Sequence, residues 1–215
     1  MSQTVIIDTG CANLSSVRFA FERLGADVTV SDNPAIIRAA TRVLLPGVGS
    51  APAAMQSIRE KNLVNVIQQL TQPVLGICLG MQLMGNYSTE RGEKDQDTEC
   101  LGLIPTPVRQ LNTRDLPTPH MGWNQLTLAQ HDGQPHPLFA GITPGDFVYF
   151  VHSFCAPVSE YSIAFCEYGE PFSAAIAHHN FMGVQFHPEK SAAVGSKILQ
   201  NFLTMTQENL TGGAA

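Results

Sequence analysis

Two short runs, far apart in the chain, carry the residue types that could do chemistry. The first is Pro73-Val74-Leu75-Gly76-Ile77-Cys78-Leu79-Gly80-Met81-Gln82. A thiol sits between glycines two positions before it and two after, the spacing of a nucleophile on a sharp strand-to-helix turn. Such a turn strains the backbone at the nucleophile, and side chains at the flanking positions would collide with it. It lifts the sulfur out of the sheet and aims the first helical N–H groups at whatever the sulfur attacks; a helix N-terminus also favours thiolate over thiol. A buried core cysteine followed by a glycine-rich turn would read the same over these ten residues. The second run is Phe181-Met182-Gly183-Val184-Gln185-Phe186-His187-Pro188-Glu189. A cysteine nucleophile needs a base, and the base needs an orienting acceptor. Pro188 fixes its own φ, so His187 and Glu189 can hold a set geometry after a strand end. A lone histidine there would be structural. Together with the elbow, the pattern points to a Cys78-His187-Glu189 triad assembled in space rather than in sequence.

These groups need a scaffold that brings strand ends together. Val74 to Ile77 is an apolar run expected as a buried strand, and Leu79 to Asn86 as the helix after it. Upstream, Thr4 to Ile7, Val28 to Ser31 and Arg42 to Leu45 read as strands. Between them lie an amphipathic helix carrying Leu14, Val17, Phe21 and Leu24, stopped by Gly25, and a short helix through Ala40 opened by Asp32-Asn33-Pro34. Asn13 or Ser15 can cap the first of these. The alternation predicts an α/β fold with a mostly parallel central sheet flanked by helices. Helices are also expected over Ala51 to Glu60 and Leu63 to Leu70. In open parallel sheets the ligand crevice lies beyond the carboxyl ends of the strands. Pro46-Gly47-Val48-Gly49-Ser50 falls at such an end, as does Cys78. It is either a flexible connection or a loop whose amides turn toward a ligand.

Thr89 to Glu99 is dense in charge and is expected as a solvated loop. Leu101 to Leu111, interrupted by Pro105 and Pro107, reads as an edge strand or crossing segment. After Leu116 the runs Asn124 to Leu128, Phe147 to Phe154, Ser162 to Glu167, Ser173 to Ala177 and Met182 to Phe186 show β tendency. They are expected to be mainly antiparallel and to extend one edge of the parallel sheet. Ser191 to Thr206 is the closing helix, with Ser191 as its cap. One domain is expected over 1–207, followed by a frayed tail at 208–215.

Gly76-Ile77-Cys78-Leu79-Gly80-Met81-Gln82 with His187-Pro188-Glu189 resembles the triad (class I) glutamine amidotransferases, whose fold is flavodoxin-like. Asp8 to Asn13, Leu45 to Gly49, His120 to Asn124, Tyr149 to Phe154 and Gly169 to Phe172 narrow the likeness. They are similar to the glutaminase subunits of bacterial imidazole glycerol phosphate synthases, and the similarity runs from about Val5 to Phe202. The resemblance implies hydrolysis of glutamine to glutamate and ammonia. It makes Gly47, Val48, Gly49 and Leu79 an oxyanion hole and leaves the glycine-flanked peptide able to flip. It gives Gln82 and His152-Ser153-Phe154 the amino-acid head of glutamine. Gln82 read alone is equally a surface-facing helix residue, and His152 is equally structural. It implies a cyclase partner that receives the ammonia and makes imidazole glycerol phosphate and an aminoimidazole carboxamide ribotide, in histidine biosynthesis. Asn13, Trp123, Tyr149 and Lys190 would face that partner. Trp123 alone could be a core residue, and Lys190 a solvated charge.

Composition sets outer bounds. The 215 residues suffice for one sizeable core. With 44% hydrophobic and 14% charged residues the chain is suited to folding rather than disorder. A net charge of -6 without a Lys/Arg cluster gives no footprint for nucleic acid. Five cysteines without a C-x-x-C pair suggest free thiols and a reducing, cytoplasmic setting. No signal peptide or apolar run of membrane-spanning length is visible. No histidine has the neighbours a metal would need, so neither metal nor cofactor is expected. Gly-Val-Gly lacks the Lys-Ser/Thr of a phosphate loop. Two other functions fit the triad less fully. A stand-alone cysteine hydrolase would need no partner. A non-catalytic binding protein would have no reason to keep all three triad residues.

Overall fold

The computed structural model describes residues 3–10, 14–92, 95–131 and 133–207. The expected tail at 208–215 and Asn13 lie outside the described residues. The first half alternates as the periodicity predicts: β1 (Gln3–Ile7), α1 (Leu14–Arg23), β2 (Asp27–Ser31), α2 (Pro34–Ala39), β3 (Arg42–Leu45), α3 (Ala51–Glu60), α4 (Val64–Gln68), β4 (Val74–Ile77) and α5 (Leu79–Leu83). Short strands follow: β5 (Tyr87–Ser88), β6 (Thr98–Glu99), β7 (Pro107–Gln110), β8 (His120–Gln125), β9 (Thr127–Leu128), β10 (Gln130–His131) and β11 (Gln134–Pro135). The chain ends in β12 (Phe147–His152), β13 (Phe154–Cys155), β14 (Ser162–Tyr168), β15 (Glu170–His178), β16 (Phe181–Val184) and α6 (Ala192–Thr204).

The main sheet runs β2-β1-β3-β4-β16-β15-β14-β9. Neighbours from β2 to β16 pair in parallel, and those from β16 to β9 pair antiparallel. Side chains alternate across it, as a strand's two-residue period requires. Ile6, Leu44, Leu75 and Ile77 enter one core with Phe21 of α1 and Phe202 of α6. Val5, Ile7, Val43, Leu45 and Val74 enter the other with Ile37, Met55, Ile67 and Met81 of α2 to α5. Both faces are therefore covered, which is why β3 and β4 are buried throughout and read as unbroken apolar runs. No helix of the described residues is long and apolar enough to cross a membrane.

Several expectations need correction. Only β15, β14 and β9 extend the sheet edge. β8 and β12 form a separate two-stranded ribbon, and β7 is interior to a small sheet of order β13-β7-β5-β6. β7 escapes the edge because Pro107 and Val108 pair with Tyr87 and Ser88 while Arg109 and Gln110 pair with Cys155 and Phe154. The charged segment 89–99 is not all loop, since Thr98 and Glu99 pair with Ser88 and Tyr87. Helix α5 stops at Leu83, where Gly85 and Asn86 turn to meet Thr106; a Cβ on Gly85 would lie 2.8 Å from the Thr106 oxygen. Ser191 makes no side-chain cap bond for α6.

Candidate active site

The elbow forms as its glycines demand. Cys78 has φ 53 and ψ -112, a left-handed backbone unusual for a residue with a side chain. A Cβ on Gly76 would sit 2.7 Å from the Gly80 carbonyl and the Met81 nitrogen. The strand end and the first turn of α5 can touch because that Cβ is missing. Donation from the Cys78 N–H to the Val184 oxygen at 2.8 Å locks the elbow to β16, the strand that leads to His187.

Cys78 and His187 line one pocket of about 410 Å³, a size usual for small-molecule sites. Glu189 stands behind, its Oε1 2.8 Å from His187 Nδ1. The carboxylate accepts there, so Nδ1 carries a proton and Nε2 is left for the thiol side. Burial pulls the His187 pKa down, but the Cys78 and Glu189 side chains overcome it and push the value up to about 10. The imidazolium is thus the favoured form beside the sulfur. The turn carrying His187 is fixed to β12. The His187 N–H donates to the Tyr149 oxygen at 2.9 Å, while the Tyr149 N–H donates to Ser191 Oγ and Ser191 Oγ–H donates to the His187 oxygen. Ser191, fully buried, is thus a brace rather than a helix cap.

The loop Gly47-Val48-Gly49 and Leu79 line the same pocket. The loop rests on the elbow so closely that a Cβ on Gly47 would lie 2.6 Å from the Gly80 nitrogen. Gln82, His152, Ser153 and Phe154 also line it. Gln82 is buried rather than surface-facing. Its Nε2 donates to the Phe154 oxygen and to Gln185 Oε1, both at 2.9 Å. The His152 ring is similarly committed. Its Nδ1–H donates to the Phe154 oxygen, so its Nε2 accepts from His120 Nδ1–H. His120 Nε2 then accepts from Asn124. Burial lowers both imidazoles, His152 to about 3 and His120 to about 4, so both are neutral. Both ring nitrogens of His152 are therefore taken, and it has no free nitrogen to offer the pocket.

Of the residues expected to face a partner, Lys190 lines the pocket. Trp123 and Tyr149 do not. They pair across the β8–β12 ribbon, with ring centroids 5.9 Å apart. Trp123 is 52% exposed and flanks exposed Met121 and Phe147, which removes its reading as a core residue.

Two residues escaped the sequence reading. Glu90, in the charged segment read as merely solvated, lines the pocket and caps α3 by accepting the Ala51 N–H at 2.7 Å. Gln185 faces Cys78 Sγ. Its place two residues before His187 on an alternating strand was the available signal. No cluster able to hold a metal occurs among the described residues.

The family model "Glutamine amidotransferase class-I" matches residues 5–206. The chain is 65% identical over 209 residues to the imidazole glycerol phosphate synthase subunit HisH of Shewanella sediminis, covering 97% of this chain and 94% of that one. It is 55% identical over 202 residues to the subunit of the same name from Vibrio cholerae, covering 94% and 98%. Among solved structures, a glutamine amidotransferase matches with TM-score 0.70 at 14% identity over 97% of this chain and 98% of that one. A glutamine amidotransferase from Thermotoga maritima matches with TM-score 0.59 at 16% identity, covering 98% and 84%.

Proposed function

The chain belongs to the class-I glutamine amidotransferase family, and from that premise we propose that it is the glutaminase subunit of an imidazole glycerol phosphate synthase. The observation carrying this reading is the shared pocket, with Cys78 and His187 in its wall and Glu189 2.8 Å behind the imidazole. Cys78 attacks the side-chain amide carbon of glutamine as its thiolate, having passed its proton to His187 Nε2. The tetrahedral oxyanion is held by N–H groups of Leu79 and of Val48 or Gly49, a contribution of roughly 3 kcal/mol per donor. His187 returns the proton to the departing ammonia. The remaining thioester is opened by water activated by His187, which releases glutamate and the free thiol. Glu90 is the carboxylate lining the pocket and suits the substrate ammonium. Gln82 Oε1 and the Ser153–Phe154 backbone supply acceptors and donors beside it.

Ammonia then passes to a cyclase partner that makes imidazole glycerol phosphate and aminoimidazole carboxamide ribotide in histidine biosynthesis. The exposed Met121, Trp123 and Phe147 on the β8–β12 ribbon, with Tyr149 and Lys190, supply the apolar and charged surface for that contact.

The test is glutamate release by the purified chain, alone and with the cognate cyclase and its ribulosyl ligand, beside Cys78→Ala. Weak activity alone, a large rise with the liganded partner and none for Cys78→Ala is expected. Full activity indifferent to the partner would refute the subunit reading. Activity surviving in Cys78→Ala would refute the nucleophile.

A further inference from the structure

We infer that Gln185 is a catalytic residue that donates an N–H to the Cys78 sulfur and holds the thiolate, and that Gln82 is the positioning residue that fixes which end of the Gln185 amide meets the sulfur. The inference rests on Cys78 being the nucleophile proposed above.

An amide side chain offers a donor at one end and an acceptor at the other. Which end faces a nucleophilic sulfur matters, because N–H favours the negative thiolate and C=O opposes it. Here the choice is forced by a chain of bonds that begins at a group without two ends. The Phe154 main-chain oxygen only accepts. Gln82 lies 2.9 Å from it and must present its nitrogen there. The same nitrogen is 2.9 Å from Gln185, so the facing atom of Gln185 must be its oxygen. The opposite end of Gln185 is then its NH₂ group, which lies 3.8 Å from Cys78 Sγ, a suitable reach for the large sulfur atom. Gln185 is fully buried and Gln82 is 5% exposed, and reversing either amide alone would set oxygen against oxygen or nitrogen against nitrogen along the chain. The Phe154 oxygen also accepts from His152 Nδ1–H, which anchors it from a second side.

A second contact shows what the donor works against. The Val151 carbonyl oxygen is 3.7 Å from the same sulfur. It accepts from the S–H whenever the sulfur carries its proton and repels the thiolate. Gln185 is the neighbouring group whose contact gains as the proton leaves for His187. The hydrogen bond strengthens once its acceptor is charged. Gln82 therefore acts on the nucleophile through Gln185, whatever its free Oε1 does for substrate.

The experiment uses the full chain and needs no partner. Cys78 is labelled with iodoacetamide and quantified by peptide mass spectrometry across pH 6 to 10 in the native chain, Gln185→Leu, Gln82→Leu and the double variant. Thiolate is the reacting form. The other titratable or charged groups facing the sulfur, His187, His152, Glu90 and Lys190, and Glu189 behind His187, are kept. Gln185→Leu is expected to slow labelling near neutral pH by about fivefold to tenfold, with the profile moved to higher pH and the native rate regained there. A packing defect alone would not recover in alkali. Gln82→Leu should slow it to a similar degree, and the double variant should be no slower than Gln185→Leu. Cys100, Cys155 and Cys166 report the fold, since burial pushes each thiol up to about 12 and holds it unreactive. If Gln185→Leu exposes them, Gln82→Leu carries the test by itself. Fast native labelling of Cys78 unchanged in both single variants would overturn the relay and leave the nucleophile standing. A native Cys78 no more reactive than Cys100 would overturn the nucleophile, and the relay with it.

Discussion

Gly76→Ala is a direct probe of the elbow. The added Cβ would lie 2.7 Å from the Gly80 carbonyl carbon, the Gly80 oxygen and the Met81 nitrogen. All three are backbone atoms, so no side chain can swing aside. Ordinary contact begins at 3.4 Å, so the first turn of α5 must move by about 0.7 Å, carrying the Leu79 N–H with it. Overpacking of this kind costs about 1–3 kcal/mol. For a chain of this length that is a fall in Tm of roughly 2–12 °C. A misplacement of 1 Å at reacting groups costs about a hundredfold in rate, so kcat/KM for glutamine should drop between about tenfold and a hundredfold. Gly102→Ala is the matched control. Gly102 has φ +64 with nothing within 4 Å of an added Cβ, so alanine there costs about 1–2 kcal/mol of backbone strain without touching the site. The assay is glutamate release in the assembled complex together with thermal unfolding of each variant. Gly76→Ala with native kcat/KM would refute the argument that the missing Cβ sets the elbow's position. Equal loss of activity in Gly102→Ala would show that stability, not position, is being read.

Three further outcomes follow from the geometry. Cys78→Ala removes one of the two partners that raise His187, so its value should fall from about 10 while burial pulls in the same direction; a ring-proton NMR titration unchanged from the native chain would refute the pairing. Ser191→Ala leaves the Tyr149 N–H without its acceptor at a part-buried contact, which should cost about 1 kcal/mol and lower kcat by loosening the His187 turn; native values of both would refute the brace. His120 and His152, held neutral at about 4 and about 3, take up protons in the unfolded chain near 6.5. The unfolded state binds more protons below that value, so their stabilisation is complete above pH 6.5 and is lost as pH falls toward 4. Tm should decline over that window, and the decline should shrink when His120 is replaced by Phe; an undiminished slope would refute their part in it.

The alternation of apolar runs with amphipathic stretches determined the parallel half of the sheet, because its inner strands β3 and β4 are buried on both faces and each helix on one. Strand β3 and helix α3 match their expected bounds for that reason. The elbow and His187-Pro188-Glu189 were equally legible. Their geometry is local, set by glycines that must lack a Cβ, a proline that fixes φ and a carboxylate two residues from its imidazole. The exposed-or-core choice for Trp123 and the buried fate of Gln82 were not legible, since a helix or ribbon period does not say which neighbour will cover a given face. Nor was Glu90, whose charged surroundings are mostly exposed while its own carboxylate turns to the N-terminus of α3 and the pocket. The direction of the amide relay was the least accessible of all. It depends on contacts between residues 72, 103 and 107 positions apart, formed only when β4, β16 and the end of β12 converge beyond the sheet's carboxyl edge. Sequence specified which groups were present, and the tertiary structure decided which atom of each faces the sulfur, because hydrogen-bond direction is set by the far partner.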